Sequence, residues 1–282
     1  MTPPNGHESY WPRLAAAYKF LGSPLRPSDE DVQVMEQAVE AWHAANPGIQ
    51  PRALILGATP ALALMRWPTG TRLIGADSSH GAMHSIWPGN EAGARLGICA
   101  NWMNLPLAAA SVHIAIGDGA LICTRYPEEA RALSASVRGV LHPTGVLILR
   151  AYIRPERAEL PEQVFAAMFN GSIATFTQFK FRLLLSMAGD VRRGVPVDEV
   201  YRVWAAHSID VQKLAGITGW PVAEIKTMEG YRGAATVHSF PSLTELRGIL
   251  DESFDELSAT PMSYPSGEHC PIFVLRPRPG VR

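Results

Sequence analysis

Three features of the sequence predict a doubly wound α/β fold with a mostly parallel sheet. Short, almost unbroken apolar runs alternate with helical patterns from Arg52 to Tyr152. Those runs lead into loops suited to a ligand: Gly57, Asp77, Asn101-Trp102 and Gly117-Asp118-Gly119. The chain then closes on two further candidate strands joined by a turn at Ser266-Gly267. Strands that are apolar throughout, rather than alternately, belong to a sheet covered on both faces, which is the parallel case.

Each element follows from local chemistry. Tyr10 to Leu21 carries apolar residues at helical spacing. Ser28 is an N-cap, and Asp29, Glu30 and Asp31 place negative charge in the first turn of a helix that Asn46-Pro47-Gly48 ends. Arg52 to Leu56 is the first strand, and Pro60 starts the helix that follows it. Arg72 to Ala76, Arg95 to Ala100, Ser111 to Ile116 and Val146 to Tyr152 are the next four strands. Helices Ser79 to Trp87 and Pro127 to Val137 lie between them, and His142-Pro143-Thr144-Gly145 reads as a turn. From Pro155 to Val237 the pattern is mostly helical, over Pro161 to Asn170, Ala174 to Ala188, Val197 to His207 and Ile209 to Thr218. A short strand is expected near Ala234 to His238. A helix capped by Ser242 then precedes the closing pair, Phe254 to Pro261 and Pro271 to Arg276, an antiparallel hairpin on a sheet edge. The expected organisation is N-terminal helices over 1–50, a Rossmann-like unit over 51–153 and 239–282, and a helical cap insertion over 154–238.

Composition narrows the function classes. Hydrophobic residues make up 47% of 282 and the net charge is -1. That is core-forming material without the basic excess of a nucleic-acid surface. Cys99, Cys123 and Cys270 are too widely spaced for a disulfide framework or a C-x-x-C metal site, and all three are expected to be small buried hydrophobes. Residues 1–10 lack the charged and apolar regions of a secretory leader. Ile173 to Ala188 is too short, and too charged at Lys180 and Arg182, to span a bilayer. The expectation is a cytoplasmic protein that binds neither nucleic acid nor membrane; its oligomeric state stays open, a homodimer among the options. His80 and His84 have the spacing of a metal pair, but no third ligand accompanies them, so a solvated helix face is expected and no metal.

The chemistry gathers at strand carboxyl ends, where open α/β sheets bind ligands. Gly57 lets backbone approach a ligand closely, beside a helix N-terminus with unpaired N–H groups. Asp77 follows Gly57 by twenty positions, the spacing at which an acid accepts from ribose hydroxyls. Asn101 could read an adenine edge, Trp102 could wall the pocket, and Asp118 stands between two glycines at a tight turn. Each also has a plain structural reading: a strand-helix turn at Gly57, an N-cap at Asp77, a loop amide and a core aromatic at Asn101 and Trp102, a turn acid at Asp118.

Residues 52 to 152 resemble class I S-adenosylmethionine-dependent methyltransferases, in particular the subgroup whose first motif is Leu-Gly-x-Thr-Pro. The resemblance rests on LILGATPAL (54–62), GADSSHGAM (75–83), CANWMNLPL (99–107), VHIAIGDGAL (112–121) and LHPTGVLILR (141–150). It implies that S-adenosylmethionine lies along Gly57, Ala58, Thr59, Asp77, Ser78, Asn101, Trp102, Gly117 and Asp118, and leaves as S-adenosylhomocysteine. Gly57 would face the methionine part, Asp77 the ribose, Asn101 the adenine amine and the Trp102 backbone N–H the base. Asp118 would sit near the methionine amino group or the transferring methyl. The sequence departs from many members at Ala58, Thr59 and Ala61, where they carry acid or glycine.

The implied activity is direct methyl transfer to a small-molecule acceptor, with substrate choice set by the cap. Asp118, His207, Tyr201 and His238 are candidate bases, and Tyr10, Trp11 and Tyr18 a candidate aromatic lid. The aromatic residues Phe165, Phe169, Phe176, Phe179 and Phe181 are expected in the core of the insertion. Two other classes remain: an NAD(P)-dependent oxidoreductase, which lacks here the G-x-G-x-x-G loop and a Tyr-x-x-x-Lys pair, and a non-catalytic cofactor-binding partner protein.

Overall fold

The structure, a computed structural model, describes residues 18 to 280. The candidate lid residues Tyr10 and Trp11, with most of the expected Tyr10 to Leu21 helix, lie outside the described residues. Tyr18–Phe20 forms a single 3-10 turn.

A seven-stranded sheet organises the chain. Its strands are β1 (Arg52–Leu56), β2 (Arg72–Asp77), β3 (Arg95–Cys99), β4 (Val112–Asp118), β5 (Leu141–Arg150), then β8 (Phe254–Thr260) and β9 (Ile272–Pro277). The order is β3-β2-β1-β4-β5-β9-β8. β1 to β5 pair in parallel, β9 is antiparallel to β5, and β8 is antiparallel to β9, so β9 alone runs against the rest. The closing strands are the antiparallel edge hairpin expected of them. A second sheet of two short strands, β6 (Val195–Pro196) and β7 (Val237–His238), ties the middle of the helical segment to its end.

Both faces of the large sheet are buried over its central strands, which explains the unbroken apolar runs of β1, β4 and β5. Ala53 and Ile55 of β1 face one layer while Leu54 and Leu56 face the other. Helix α1 (Asp29–Ala45) covers the first face with Met35, Val39 and Trp42, a run at helical spacing. Each such side chain contributes about 1.5–3 kcal/mol by leaving water. Ser28 closes a reciprocal capping box with Asp31 at its start. The second face is covered by Glu128–Val140, through Ala130, Leu133, Val137 and Val140, and by Leu243–Leu250, whose cap is the Ser242–Glu245 box.

Two expectations are corrected. His142 to Gly145 is not a turn: β5 begins at Leu141, and the pairing with β4 shifts register between Val112 and Ile114. The irregularity tolerates Pro143 without breaking the strand, and at Gly145 a Cβ would come 2.8 Å from the His113 carbonyl oxygen. The cysteines are not uniformly buried. Cys270 is buried and Cys123 half-buried, but Cys99 is exposed because it ends β3, the edge strand.

The helices of 161–231 pack a core of their own. Pro161–Phe169, Phe176–Ser186, Val197–Ala206 and Val211–Thr218 converge on Phe165, Phe176, Phe179, Trp204 and Trp220. Phe181 joins that cluster, whereas Phe169 is exposed. Ile122, Tyr152 and Phe240 extend the cluster to the carboxyl edge of the large sheet. His80 and His84 lie exposed on their helix, as expected.

Candidate functional site

The strand order reverses between β1 and β4, so the loops after these two strands diverge and leave a crevice. A cleft opens there, with about 970 Å³ of atom-free space including its open mouth. Its sheet side carries Gly57, Ala58, Thr59, Asp77, Trp102 and Asp118. Its opposite side is made by Lys180 and Leu184 of Phe176–Ser186 and by Tyr231, His238 and Phe240, with Tyr18 and Leu21 closing a flank.

The first loop is built for close approach. Gly57 has φ +110°, a conformation L side chains rarely adopt. Its Cα faces Asp77 Oδ2 and the Trp102 indole, either of which would be within 4 Å of a Cβ placed there. Asp77 ends β2, is buried, and accepts from the Ser79 N–H at 2.8 Å. Ser79, not Asp77, caps the next helix, by accepting from Ala82 N. Trp102 Nε1 donates to the Ala76 carbonyl at 2.6 Å, and this bond fixes the indole as a wall beside Gly57.

Three of the sequence candidates stand outside the cleft lining. Asn101 is exposed and its side chain accepts from Met103 N at 3.0 Å, capping the Trp102–Asn104 turn. Ser78 is exposed beside the buried Ser79. Gly117 lies within β4, where a Cβ would press on Leu56 and Leu149 at 3.3–3.4 Å, so its role there is packing. Two of the candidate bases are also remote. His207 stacks on Phe165 at 3.5 Å between ring centroids, and its Nδ1 donates to the Val203 carbonyl. Tyr201 hydrogen-bonds Glu229 on the surface. His238 and Asp118 do line the cleft.

Asp118 is not a free carboxylate. Arg150 Nη1 lies 2.5 Å from its Oδ1. The fully buried Arg150 guanidinium also donates to Asp31 Oδ1 at 2.9 Å, to the Tyr152 hydroxyl at 2.8 Å, to the Tyr264 hydroxyl at 2.8 Å and to the Pro24 carbonyl at 2.6 Å. A guanidinium has five N–H donors, and all five are spent. Burial pushes the Asp118 carboxyl upward, against the pull of Arg150. Sequence reasoning missed Arg150, Asp31, Tyr152 and Tyr264. The visible signal was an arginine ending an otherwise apolar strand.

Lys180 was also missed as a site residue, although it interrupts the most apolar helix. It is fully buried, with Nζ 3.2 Å from Thr227 Oγ1 and 4.4 Å from the centre of the Tyr231 ring. Among the described residues no carboxylate pairs with it. Burial lowers its pKa to about 7. Also among the described residues, no group of three His, Cys, Asp or Glu side chains is arranged to hold a metal ion.

No protein-family model matches the chain, and no curated protein matches it. Solved structures do. A protein from Rhodobacter sphaeroides described as a zinc-dependent alcohol dehydrogenase superimposes with TM-score 0.61 at 12% identity, over 98% of this chain and 100% of its own. A Pyrococcus horikoshii protein gives TM-score 0.50 at 11% identity, over 93% and 98%. A SAM-dependent methyltransferase from Aquifex aeolicus gives TM-score 0.50 at 12% identity, over 94% and 98%. The chain has the Rossmann-like methyltransferase fold. Its marks are a mostly parallel seven-stranded sheet, one reversed strand next to the edge, and helices on both faces. These likenesses concern fold alone and do not reach the Leu-Gly-x-Thr-Pro subgroup.

Proposed function

We infer that this protein is an S-adenosylmethionine-dependent methyltransferase acting in the cytoplasm on a small-molecule acceptor. One observation carries the reading: Gly57, Asp77 and Trp102 converge on a single cleft at the switch point of a methyltransferase-type sheet. The residues suit the cofactor. Asp77 offers carboxylate oxygen to ribose hydroxyls, Trp102 presents an indole face for the base, and the bare Cα of Gly57 leaves room for the methionine chain. Ala58 and Thr59 would flank that chain, and Ser78 and Asn101 would meet the adenine end from the rim. S-adenosylmethionine, when bound, supplies an electrophilic methyl group on a sulfonium.

The chain's own contribution is alignment and exclusion of water. Asp118, fixed by Arg150, would orient a donor at the carboxyl end of β4. The helical segment 154–238 would act as the cap over a Rossmann-like unit formed by 51–153 and 239–282, and its apolar inner wall supports a small, partly hydrophobic acceptor. No helix of the described residues is long and apolar enough to cross a membrane. Calorimetry with S-adenosylmethionine, S-adenosylhomocysteine and NADH tests the reading. Binding of the first two and not the third is expected. Binding of NADH alone would replace it with a dehydrogenase reading, and no binding at all with a non-catalytic one.

A further inference from the structure

Lys180 presents an unusual arrangement on the acceptor side of the cleft. A lysine with no exposed surface sits on the helix Phe176–Ser186 and is among the residues lining the cleft. The Thr227 hydroxyl donates its own proton to the Glu224 carbonyl at 2.6 Å. It can therefore only accept from Lys180 Nζ, and it leaves the lone pair of a neutral amine unclaimed. Tyr231 offers the face of its ring, which attracts the ammonium that proton uptake creates.

We propose that Lys180 is the catalytic base of the acceptor site, and that the acceptor is a phenol or enol whose hydroxyl proton passes to Nζ. This rests on the methyl-transfer reading above. In the step, the O–H bond breaks and its electron pair stays on oxygen as the nucleophile. A new N–H bond makes Lys180 an ammonium, which returns its proton to water when the product leaves.

The surroundings favour this assignment. The titratable groups sharing the cleft are Tyr231 and His238 on the cap side and Cys123, Tyr152, Asp118 and Asp77 on the sheet side, with Tyr18 on the flank. Burial raises the Cys123 thiol to about 12 and pushes the Tyr152 and Tyr18 hydroxyls up as well, so all three keep their protons near neutrality. Asp118 is committed to Arg150. Lys180, lowered by burial to about 7, takes a proton readily at neutral pH. Charge balance selects the acceptor class. Proton transfer from a neutral phenol to a neutral amine leaves the net charge of the site unchanged and sets the two new charges in contact. An acceptor arriving as an ammonium would instead bring a net positive charge into the same apolar space, with no anion formed to offset it. The aromatic walls at Tyr231, Phe240 and Tyr152 suit a flat acceptor.

The test uses the full chain, S-adenosylhomocysteine and 4-nitrophenol, whose phenolate form absorbs visible light. Calorimetry first measures S-adenosylhomocysteine binding to wild type and to Lys180→Met. Equal binding is expected, and failure of the wild type to bind would overturn the methyltransferase reading instead of this one. Absorption then reads the protonation state of bound 4-nitrophenol. In wild type its apparent pKa should fall by at least one unit, a roughly tenfold shift in the ionisation equilibrium. In Lys180→Met that shift should vanish. A bound phenol that stays protonated in wild type, no phenol binding by wild type, or a shift that survives Lys180→Met would each overturn the proposal. Preference for benzoate over 4-nitrophenol would overturn the acceptor class. The wild-type arm stands even if the variant fails to fold.

Discussion

Asp118 and Arg150 occupy paired positions at the ends of neighbouring strands, carboxylate against guanidinium with Oδ1 2.5 Å from Nη1. Asp31 approaches the same guanidinium from the first helix at 2.9 Å. One cation thus serves a buried carboxylate and a partly buried one. Substituting Arg150→Met should cost about 3–5 kcal/mol in denaturant unfolding, because both carboxylates lose their partner. Adding Asp118→Asn to that variant should recover part of the loss, since an amide needs no counter-charge. Equal stability of wild type and Arg150→Met would mean that the network contributes nothing net.

Asp77→Asn keeps the side chain's shape and its contact with Ser79 while removing the charge. A charge-assisted hydrogen bond to a ribose hydroxyl contributes about 1.5–3 kcal/mol. S-adenosylhomocysteine should therefore bind about 10- to 100-fold more weakly to Asp77→Asn, with the melting temperature of the free protein nearly unchanged. Calorimetry on the two proteins checks both halves of that statement.

Lys180 gives a pH signature in stability. Its amine releases a proton at about 7 in the folded chain, against 10.5 for the unfolded side chain. Between those values the unfolded state holds the extra proton, so stability rises with pH across the window. Below pH 7 both states are protonated, and the penalty of the buried ammonium is fully present. Relative to Lys180→Met, unfolding free energy should climb from pH 7 to 10.5 by up to about 1.4 kcal/mol per unit. A flat difference curve would show that the folded amine titrates normally.

Gly119→Ala meets two penalties at once. The residue has φ +62°, and a Cβ would fall 2.5 Å from the Tyr152 ring. Backbone strain alone costs about 1–3 kcal/mol. Displacing Tyr152 would also loosen its hydroxyl from Arg150. The expected result is a clear drop in melting temperature, together with weaker S-adenosylhomocysteine binding, because Gly119 lines the cleft.

Much of this was legible in the sequence, and the reason differs by element. The central parallel strands announced themselves because a strand buried on both faces must be apolar at every position, as at Ala53 to Leu56. Gly57 and Asp77 were legible because a backbone turn and a strand-end acid have short-range signatures. Ser28 and Ser242 caps were legible for the same reason. What escaped depends on contacts distant in sequence. Asp31 reads as an ordinary first-turn acid, and only the fold brings it to Arg150, 119 positions away. Lys180 reads as a flaw in an apolar helix until Thr227 and Tyr231, some fifty positions on, are packed against it. Asn101 shows the converse: its loop position was legible, whereas the cap that its amide oxygen places on the Trp102–Asn104 turn was not.

The Arg150 network also has a consequence for how the molecule opens. Its five bonds reach Pro24, Asp31, Asp118, Tyr152 and Tyr264, so the first helix, the central strands and the segment before the last strand share one fastening. None of them can detach without exposing the others' charge. In native-state hydrogen exchange, amides of Asp29–Ala45 should follow the slowest, whole-molecule opening. Those of Val211–Thr218, a helix whose one buried residue is Leu214, should exchange through smaller and more frequent openings.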